Sequence, residues 1–198
     1  MGSDYKDSYM YTFLMNKFEN DEDVAKSYAL RLLVHYMGDI AQPFHCADRY
    51  NSEFPKGDKG ANGFPLKNHY EVDELHALWD KVLYDQHNNI ARPFTSSTWD
   101  DFEPQVADVM KTYAYAVDDS SVYESTEYKD FAKESYDIAI QLYDGVTENE
   151  AVPQDYIDKW LPVAYERINI GGYRLYYTID FIFSSDSLSK DEFKVMFL

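Results

Sequence analysis

Apolar residues recur at helical rather than alternating intervals along most of this chain. The segment from Asp23 to Ile40 shows the pattern best, because its side chains follow steps of three and four residues. The positions on that face are Tyr28, Leu32, His35, Tyr36 and Asp39. The neighbours of His35 and Asp39 are apolar, so we expect this face to be buried. Alternation typical of strands is almost absent, and the pattern predicts an all-α fold.

Breaker residues divide the chain into predicted helices and one long loop. The helices are expected over residues 7–18, 23–40, 72–84, 99–117 and 124–143, with a last helix reaching 183 and a loop over 50–67. Pro153 suits the first turn of a helix, and Pro162 then either kinks that helix or opens the last one. Gly171 and Gly172 lie inside the last predicted helix, where they favour either close approach of another helix or a local bend.

Length and composition indicate one folded domain. The chain has 198 residues, of which 45% are hydrophobic and 17% aromatic, so a disordered chain is excluded. We expect residues 1–198 to form a single domain, and no function is assigned to residues 184–198. Cys46 is the only cysteine, which rules out an internal disulfide. No apolar run is long enough to span a membrane, and the residues after Met1 do not form a secretory signal.

The charge of the chain limits its partners. The net charge is −18, and residues 97–158 contain 16 acidic residues against three lysines. We interpret that region as a solvated acidic face. This balance argues against a broad basic interface for nucleic acid, since phosphate contacts normally need lysine and arginine. A site at which bound cations supply the positive charge remains compatible with this composition.

Two histidine–aspartate pairs are the strongest chemical signal. His35 and Asp39 are four residues apart and share a helix face, and His76 and Asp80 repeat the spacing. His45 follows a helix break closely enough to turn back toward the first pair. A single pair of this kind is more often a structural hydrogen bond, but two pairs and a further histidine favour a metal site. Imidazole and carboxylate donors together suit zinc.

Four segments carry a resemblance to a known family. Leu33-Val34-His35-Tyr36-Met37-Gly38-Asp39-Ile40-Ala41-Gln42-Pro43-Phe44-His45 resembles the signature of the zinc-dependent class I nucleases of plants and fungi, the S-one/P-one type. The other three are Gly57–Asn62, with Ala61 in place of a glycine; Leu75–Asp80, preceded by Glu74 where the family usually has Asn; and Gly171–Leu175. The resemblance extends from about Ala25 to Phe183.

The resemblance implies an all-α fold shared with bacterial zinc phospholipase C and a site for up to three Zn²⁺ ions. By position, His35 would bind the first zinc, and Asp39 would bridge the first and third as the catalytic carboxylate. His45, His76 and Asp80 would bind the second. Asp80 favours a nuclease, because the phospholipases have Glu at that position.

The activity implied by the resemblance is hydrolysis of single-stranded RNA and DNA to 5′-nucleotides, together with 3′-nucleotidase activity. Asn62 would line the nucleotide pocket, and Tyr70 would stack on a base. A plain loop or core role for Tyr70 remains the alternative. The family also implies secretion or an acidic, lysosome-like compartment.

The sequence departs from the family upstream of His35. No histidine precedes His35 and no tryptophan precedes Trp79, so only the ligand set of the second zinc is complete here. One hypothesis is that the chain is the C-terminal two-thirds of a nuclease-like domain, whose remaining ligands come from an N-terminal segment or another chain. The other hypothesis is a non-catalytic relative that keeps one structural zinc and serves as an interaction module.

Overall fold

The computed structural model describes residues 9–88, 92–113 and 128–184, and the structural statements below refer to those residues. They form α1 (Tyr9–Lys17), α2 (Glu22–Asp39), a 3₁₀ turn (Pro43–Cys46), β1 (Pro65–His69), β2 (Val72–Glu74), α3 (Leu75–Asp80), α4 (Ser96–Thr112), α5 (Tyr128–Ala139) and α6 (Gln154–Ser184). The predicted all-α fold class is confirmed, with one short hairpin as its only sheet within these ranges. The predicted helix ends at 114–117 and 124–127 lie outside the described residues.

Contacts group the chain into two compact units. The terminal unit contains the described residues up to Met37 and those from Arg174 onward, and the central unit runs from Gly38 to Tyr173. Buried side chains of the terminal unit include those of Leu14 and Ile182. The single-domain assignment stays a prediction. None of the helices within the described ranges is both long enough and apolar enough to cross a bilayer.

A β-hairpin replaces the start of the helix that the sequence predicts over residues 72–84. The strands are antiparallel, with Pro65 opposite Glu74. Tyr70 and Glu71 form the connecting turn in left-handed backbone conformations, with φ of 52° and 61°. The predicted loop over 50–67 therefore ends earlier, where β1 begins. The pattern of apolar residues did not distinguish the second strand of this hairpin from a helix. That strand has only three residues, too few to separate strand alternation from helical spacing.

The following helix is also shorter than predicted. α3 ends at Asp80, and Val82, Leu83 and Tyr84 adopt positive φ angles of 48°, 50° and 73°. Val82 and Leu83 are nevertheless buried. Their apolar character, which suggested further helix, instead reflects packing of a tight turn into the core.

α6 is one continuous helix, although it contains Pro162. Pro162 therefore does not open a separate helix. At Gly172 an added Cβ would meet no atom within 4 Å, so close packing within the described part of the chain does not explain this glycine.

The core of the central unit surrounds α3. It is formed by apolar side chains of the 3₁₀ turn, the hairpin, α3, the segment after α5 and α6: Phe44, Phe64, Leu66, Val72, Leu75, Leu78, Trp79, Val82, Leu83, Leu142, Trp160 and Tyr165. The Trp79 indole donates a hydrogen bond to the Tyr156 hydroxyl at 3.1 Å, which donates to the Leu142 carbonyl at 2.9 Å. These bonds and contacts hold the short α3 in place.

Candidate metal centre

Two short elements of the central unit present the candidate ligands. His45 lies on the 3₁₀ turn, whose first residue is the buried Pro43. His76 and Asp80 lie one helical turn apart on α3. Leu75 and Leu78 of α3 face the core and are fully buried, so the adjacent stripe with the two ligands faces the 3₁₀ turn.

The three side chains converge. One donor atom from each of His45, His76 and Asp80 lies within 4.8 Å of the others. The His45 Nε2 is 3.8 Å from the Asp80 Oδ1, and the His76 Nε2 is 3.6 Å from the Asp80 Oδ2. The two imidazole rings meet edge to face with centroids 4.6 Å apart. The fold therefore brings together the three residues that the family resemblance assigns to the second zinc, and it places His45 beside the second pair rather than the first.

A main-chain carbonyl fixes the tautomer of His76. The His76 Nδ1 lies 2.6 Å from the Gly60 carbonyl oxygen. A carbonyl oxygen only accepts, so Nδ1 carries the proton and donates it. The other ring nitrogen, Nε2, is then the one available to bind a metal, and it lies 3.6 Å from the Asp80 Oδ2. A hydrogen bond from the ring nitrogen that does not bind the metal is the usual way in which a metal-binding histidine is oriented.

The electrostatics of the cluster favour a cation. The Asp80 carboxylate raises the pKa of His45 above its ordinary value, against the opposing effect of partial burial, and Asp39 adds to the rise. Partial burial acts to raise the pKa of Asp80, but His45 and the amide of Gln42 outweigh it and hold that pKa below its usual range. Asp80 is therefore ionised near neutral pH.

The donor set fits a metal ion. The His76 Nε2 and the ionised Asp80 Oδ2 lie 3.6 Å apart, and an imidazole nitrogen facing a carboxylate oxygen needs a proton or a cation between the two atoms. Tetrahedral zinc holds nitrogen and oxygen donors at about 2.0–2.2 Å, which places the donors roughly 3.3 Å apart. The donor separations of 3.6 and 3.8 Å are close to that spacing, and none of the three exceeds 4.8 Å. Three protein ligands also leave one position of a tetrahedral shell open.

The loop Gly57–Asn62 supplies the carbonyl that holds His76. Gly60 has φ of 62°, and a Cβ there would lie 2.2 Å from the carbonyl oxygen of Phe44. Only glycine lets this loop approach the 3₁₀ turn so closely. The loop thus connects the turn that carries His45 with the helix that carries His76.

Asp58 is the buried anchor of the same loop. Its Oδ1 accepts hydrogen bonds from the main-chain N–H groups of Arg49 and Ala61, each at 3.0 Å. Its Oδ2 accepts from the Tyr143 hydroxyl at 2.7 Å and lies 3.5 Å from the Arg49 Nε. Burial opposes ionisation of Asp58, but these donors together hold its pKa below the usual value.

The remaining predicted ligands are less enclosed than expected. His35 is exposed and Asp39 is half-buried, so the expectation that their helix face is buried is wrong. Among the described residues of α2, Ala25 and Met37 are the buried ones. His35 belongs to the terminal unit and Asp39 to the central unit, and their roles as ligands stay predictions.

The two predicted substrate residues, Asn62 and Tyr70, lie outside the helices and strands, in the loop before β1 and in the turn between β1 and β2. Asn62 is exposed and its side-chain amide donates to the Lys59 carbonyl at 2.6 Å. Tyr70 is 51% exposed at the hairpin tip, and its ring stacks on that of His87 with centroids 4.1 Å apart. Cys46 lies outside the metal cluster, and its thiol faces the Ile40 carbonyl at 3.6 Å.

Sequence reasoning missed two residues that form hydrogen bonds with the candidate ligands. Gly60 acts through its carbonyl and Gln42 through its amide, and neither type of residue signals metal chemistry by itself. Both nevertheless stand in the quoted motifs, Gly60 in Gly57–Asn62 and Gln42 before Pro43. Their presence in those motifs was the available signal.

Comparison with known proteins agrees with these observations. The family described as S1/P1 Nuclease matches residues 8–184. Endonuclease 2 of Arabidopsis thaliana is 29% identical over 162 residues, covering 78% of this chain and 51% of that protein, and Endonuclease 1 of the same plant is 29% identical over 174 residues, covering 80% and 50%. Nuclease S1 of Aspergillus oryzae is 26% identical over 188 residues, covering 89% and 61%. The chain spans about half the length of the two plant relatives.

Proposed function

Because the chain belongs to the S1/P1 nuclease family, we propose that it acts in the hydrolysis of phosphodiester bonds in single-stranded nucleic acid at a zinc centre. The observation that carries the proposal is the convergence of His45, His76 and Asp80 within 4.8 Å. These residues would hold one Zn²⁺ ion. The full family site has up to three ions, and His35 and Asp39 would contribute to the other two.

The proposed chemistry divides between the ion and the protein. When bound, zinc supplies Lewis acidity toward a phosphoryl oxygen and lowers the pKa of water. The protein contacts the donors through further groups: the Gly60 carbonyl accepts from the His76 ring, and the Gln42 amide donates to the Asp80 carboxylate. Asp39, at the end of α2, is the proposed catalytic carboxylate. Its half-buried position leaves it accessible to a ligand.

Substrate binding is proposed at two exposed side chains. Tyr70 offers an aromatic face at the hairpin tip, and the stacked His87 limits the orientations of its ring. A preoriented aromatic ring suits stacking on a nucleobase, which contributes about 1–3 kcal/mol per base. Asn62 would contact the nucleotide by hydrogen bonding. The products would be 5′-nucleotides, and 3′-mononucleotides would also be substrates.

The net charge of −18 makes a bound cation important for this function. A phosphate group approaching an acidic protein is repelled unless a local positive charge compensates. Zinc ions at the cluster would supply that charge. By likeness to the secreted relatives of the family, the proposed location is outside the cell or in an acidic vesicle.

The proposal is tested by measuring zinc content and nuclease activity on the same preparation. We expect a stoichiometric zinc content in the wild-type protein, a reduced content in His76→Ala and Asp80→Asn, and an unchanged content in Asp108→Asn, an exposed residue of α4. Cleavage of a single-stranded oligonucleotide should stop when a chelator is added and should be lost in Asp39→Asn.

Different outcomes separate the two hypotheses. Zinc uptake without cleavage would favour a non-catalytic relative with a structural zinc. A protein that takes up no zinc, or one whose cleavage resists the chelator, would contradict the proposed centre. Chelator-sensitive cleavage that survives Asp39→Asn would contradict the role given to Asp39.

A further inference from the structure

The side chain of Gln42 connects the two segments that carry the proposed ligands. Its Oε1 accepts a hydrogen bond from the main-chain N–H of Phe44 at 2.6 Å. Its Nε2 donates to the Asp80 Oδ1 at 3.0 Å. One amide therefore joins the turn that presents His45 to the carboxylate at the end of α3.

The orientation of this amide is determined by its neighbours. The Phe44 N–H can only donate, so the amide atom that faces it must be the oxygen. The NH₂ group is then directed at Asp80, whose ionised carboxylate can only accept. A flipped amide would oppose like groups at both ends, so a single orientation satisfies both contacts.

The main chain of Gln42 is fixed as well. Pro43 disfavours the helical conformation at the preceding residue, and Gln42 is extended, with φ of −79° and ψ of 119°. Its N–H donates to the Asp39 carbonyl at 3.0 Å, and its carbonyl accepts from the His45 N–H at 3.2 Å. Its backbone and side chain thus contact three proposed metal-centre residues: Asp39, His45 and Asp80.

From this geometry we propose that Gln42 is a positioning residue that sets the orientation of the Asp80 carboxylate for metal binding. The inference rests on the proposed metal site. The amide donates to the Asp80 Oδ1, which the His45 Nε2 also faces at 3.8 Å, while Oδ2 faces the His76 Nε2 at 3.6 Å. The hydrogen bond thereby limits rotation of the carboxylate. Loss of a hydrogen bond to a ligand of this kind typically weakens metal binding by about 10–100-fold.

The test measures the zinc dissociation constant of the full chain by competition with a chromophoric chelator. Gln42→Met keeps the length of the side chain but has neither donor nor acceptor. Gln42→Asn keeps the amide but is one methylene too short to reach both partners. We expect about 10–100-fold weaker zinc binding in Gln42→Met. Gln105→Ala, an exposed glutamine of α4, is the matched control and should bind zinc as the wild type does.

A double-mutant cycle distinguishes positioning of Asp80 from a general effect on the turn. In an Asp80→Ala background, Gln42→Met should change zinc affinity by about twofold or less, because the carboxylate that it orients is gone. The visible absorption of bound Co²⁺ should also change in Gln42→Met. Thermal unfolding in excess chelator checks that each variant is folded, and Gln42→Asn replaces Gln42→Met if the latter is not.

Several results would overturn the assignment. Equal zinc affinities of wild type and both Gln42 variants would do so, and so would an equal loss of affinity with and without Asp80. A wild-type protein that binds no zinc would overturn the assignment together with the proposed function. Zinc binding without nuclease activity would contradict the proposed function alone, because the Gln42 variants are compared by affinity.

Discussion

Two features of the backbone at Gly60 require a glycine: a left-handed conformation and a close approach to the 3₁₀ turn. Its φ of 62° is in the left-handed region, and a Cβ would lie 2.2 Å from the Phe44 carbonyl oxygen. Left-handed backbone costs an alanine about 1–2 kcal/mol, and the clash forces the loop away from the 3₁₀ turn. We expect Gly60→Ala to lower the free energy of unfolding by at least about 2 kcal/mol. Because the Gly60 carbonyl then loses its position against His76, zinc affinity should also fall. Urea unfolding and chelator competition measure the two effects.

Gly145 provides the matched control for this substitution. It has φ of 90°, but its nearest contact to an added Cβ is Tyr156 at 3.6 Å. Gly145→Ala should therefore show the conformational cost without the clash, and its zinc affinity should be unchanged. Equal effects of the two substitutions would show that the position of the Gly60 carbonyl is unimportant.

Asp58 makes the stability of the central unit depend on pH. The pKa of Asp58 is lowered in the folded protein, because its four hydrogen-bond and charge partners outweigh its burial. Its contribution to stability is therefore present above the unfolded pKa of about 3.9 and is lost as the pH falls through the lower folded value. We expect Asp58→Asn to cost about 2 kcal/mol at pH 7. Unfolding by urea at several pH values, in excess chelator, measures this difference.

The pH series distinguishes a charged Asp58 from a neutral one. The stability gap between wild type and Asp58→Asn should close as the solution is acidified below the unfolded pKa. Tyr143→Phe, which removes one donor to Asp58, should show a smaller loss at neutral pH. A gap that stays constant down to strongly acidic pH would contradict the ionised state of Asp58.

Between elements of the central unit, a polar network fixes Ile40 and Ala41, the residues directly after α2, to α5 and α6. Arg167 of α6 donates to the Ala41 carbonyl at 3.1 Å and to the Ser135 hydroxyl at 2.9 Å. The Ser135 hydroxyl donates to the Ile40 carbonyl, and Arg167 also pairs with Glu134. We expect Ser135→Ala to cost about 1–3 kcal/mol, because it removes a hydrogen-bond acceptor from the buried Arg167 side chain and a donor from the Ile40 carbonyl. The free energy of unfolding in urea measures the loss.

An exposed pair on the same helix serves as the control for Ser135. Lys133 forms an ion pair with Asp137 at 2.6 Å, and both side chains are exposed. Lys133→Ala should change stability by about 0.5 kcal/mol or less. If the two substitutions had equal effects, the buried network would contribute no more than a surface pair.

α6 contains a helical glycine that the described packing does not require. Gly172 is exposed, and an added Cβ would meet nothing within 4 Å. Gly172→Ala should raise the free energy of unfolding by about 0.5–1 kcal/mol, because alanine has the higher helix propensity. Thermal or urea unfolding measures the gain. A clear loss of stability would show that this position packs against another surface.

The elements differ in how far the sequence predicts them. The long helices α2 and α6 follow from periodicity and proline positions, because many repeats of the pattern support each other. The hairpin Pro65–Glu74 does not, since its strands of five and three residues are too short to show alternation. Its turn at Tyr70 and Glu71 uses left-handed conformations without glycine, so no composition signal marks it.

In the candidate site, the sequence predicts the metal-binding side chains better than the residues that form hydrogen bonds with them. A metal site could be predicted, because two imidazole–carboxylate pairs at four-residue spacing and a further histidine favour one, and the family resemblance groups His45 with His76 and Asp80. Gln42 and Gly60 could not, since they act through an amide and a main-chain carbonyl whose partners are distant in the sequence. The exposure of His35 was not predictable either, because apolar neighbours along a helix do not specify what covers them.

Over the full chain, net charge is the property that we expect to influence the proposed substrate binding most. The net charge is −18, and α4 alone presents four exposed acidic residues, Asp100, Asp101, Glu103 and Asp108. Single-stranded nucleic acid is also a polyanion, so the two repel each other at long range. Proteins that bind nucleic acid through basic surfaces lose affinity as salt is added. Binding releases counterions from the nucleic acid, and this release contributes less favourable free energy when the salt concentration is already high. The proposed substrate interaction should respond to salt in the opposite direction.

The expected result is a lower KM for a single-stranded oligonucleotide as monovalent salt rises from about 10 mM to about 150 mM, where the Debye length falls from roughly 30 Å to roughly 8 Å. Screening then removes repulsion at long range, while contacts at the zinc centre are short and less screened. A phosphodiester with a single charge is the control substrate, and its KM should change much less. Replacing Asp100, Asp101 and Asp108 by asparagine should reduce the salt response if α4 contributes to the repulsion. A KM that instead rises steeply with salt would indicate a basic substrate interface, which the charge distribution of this chain does not provide.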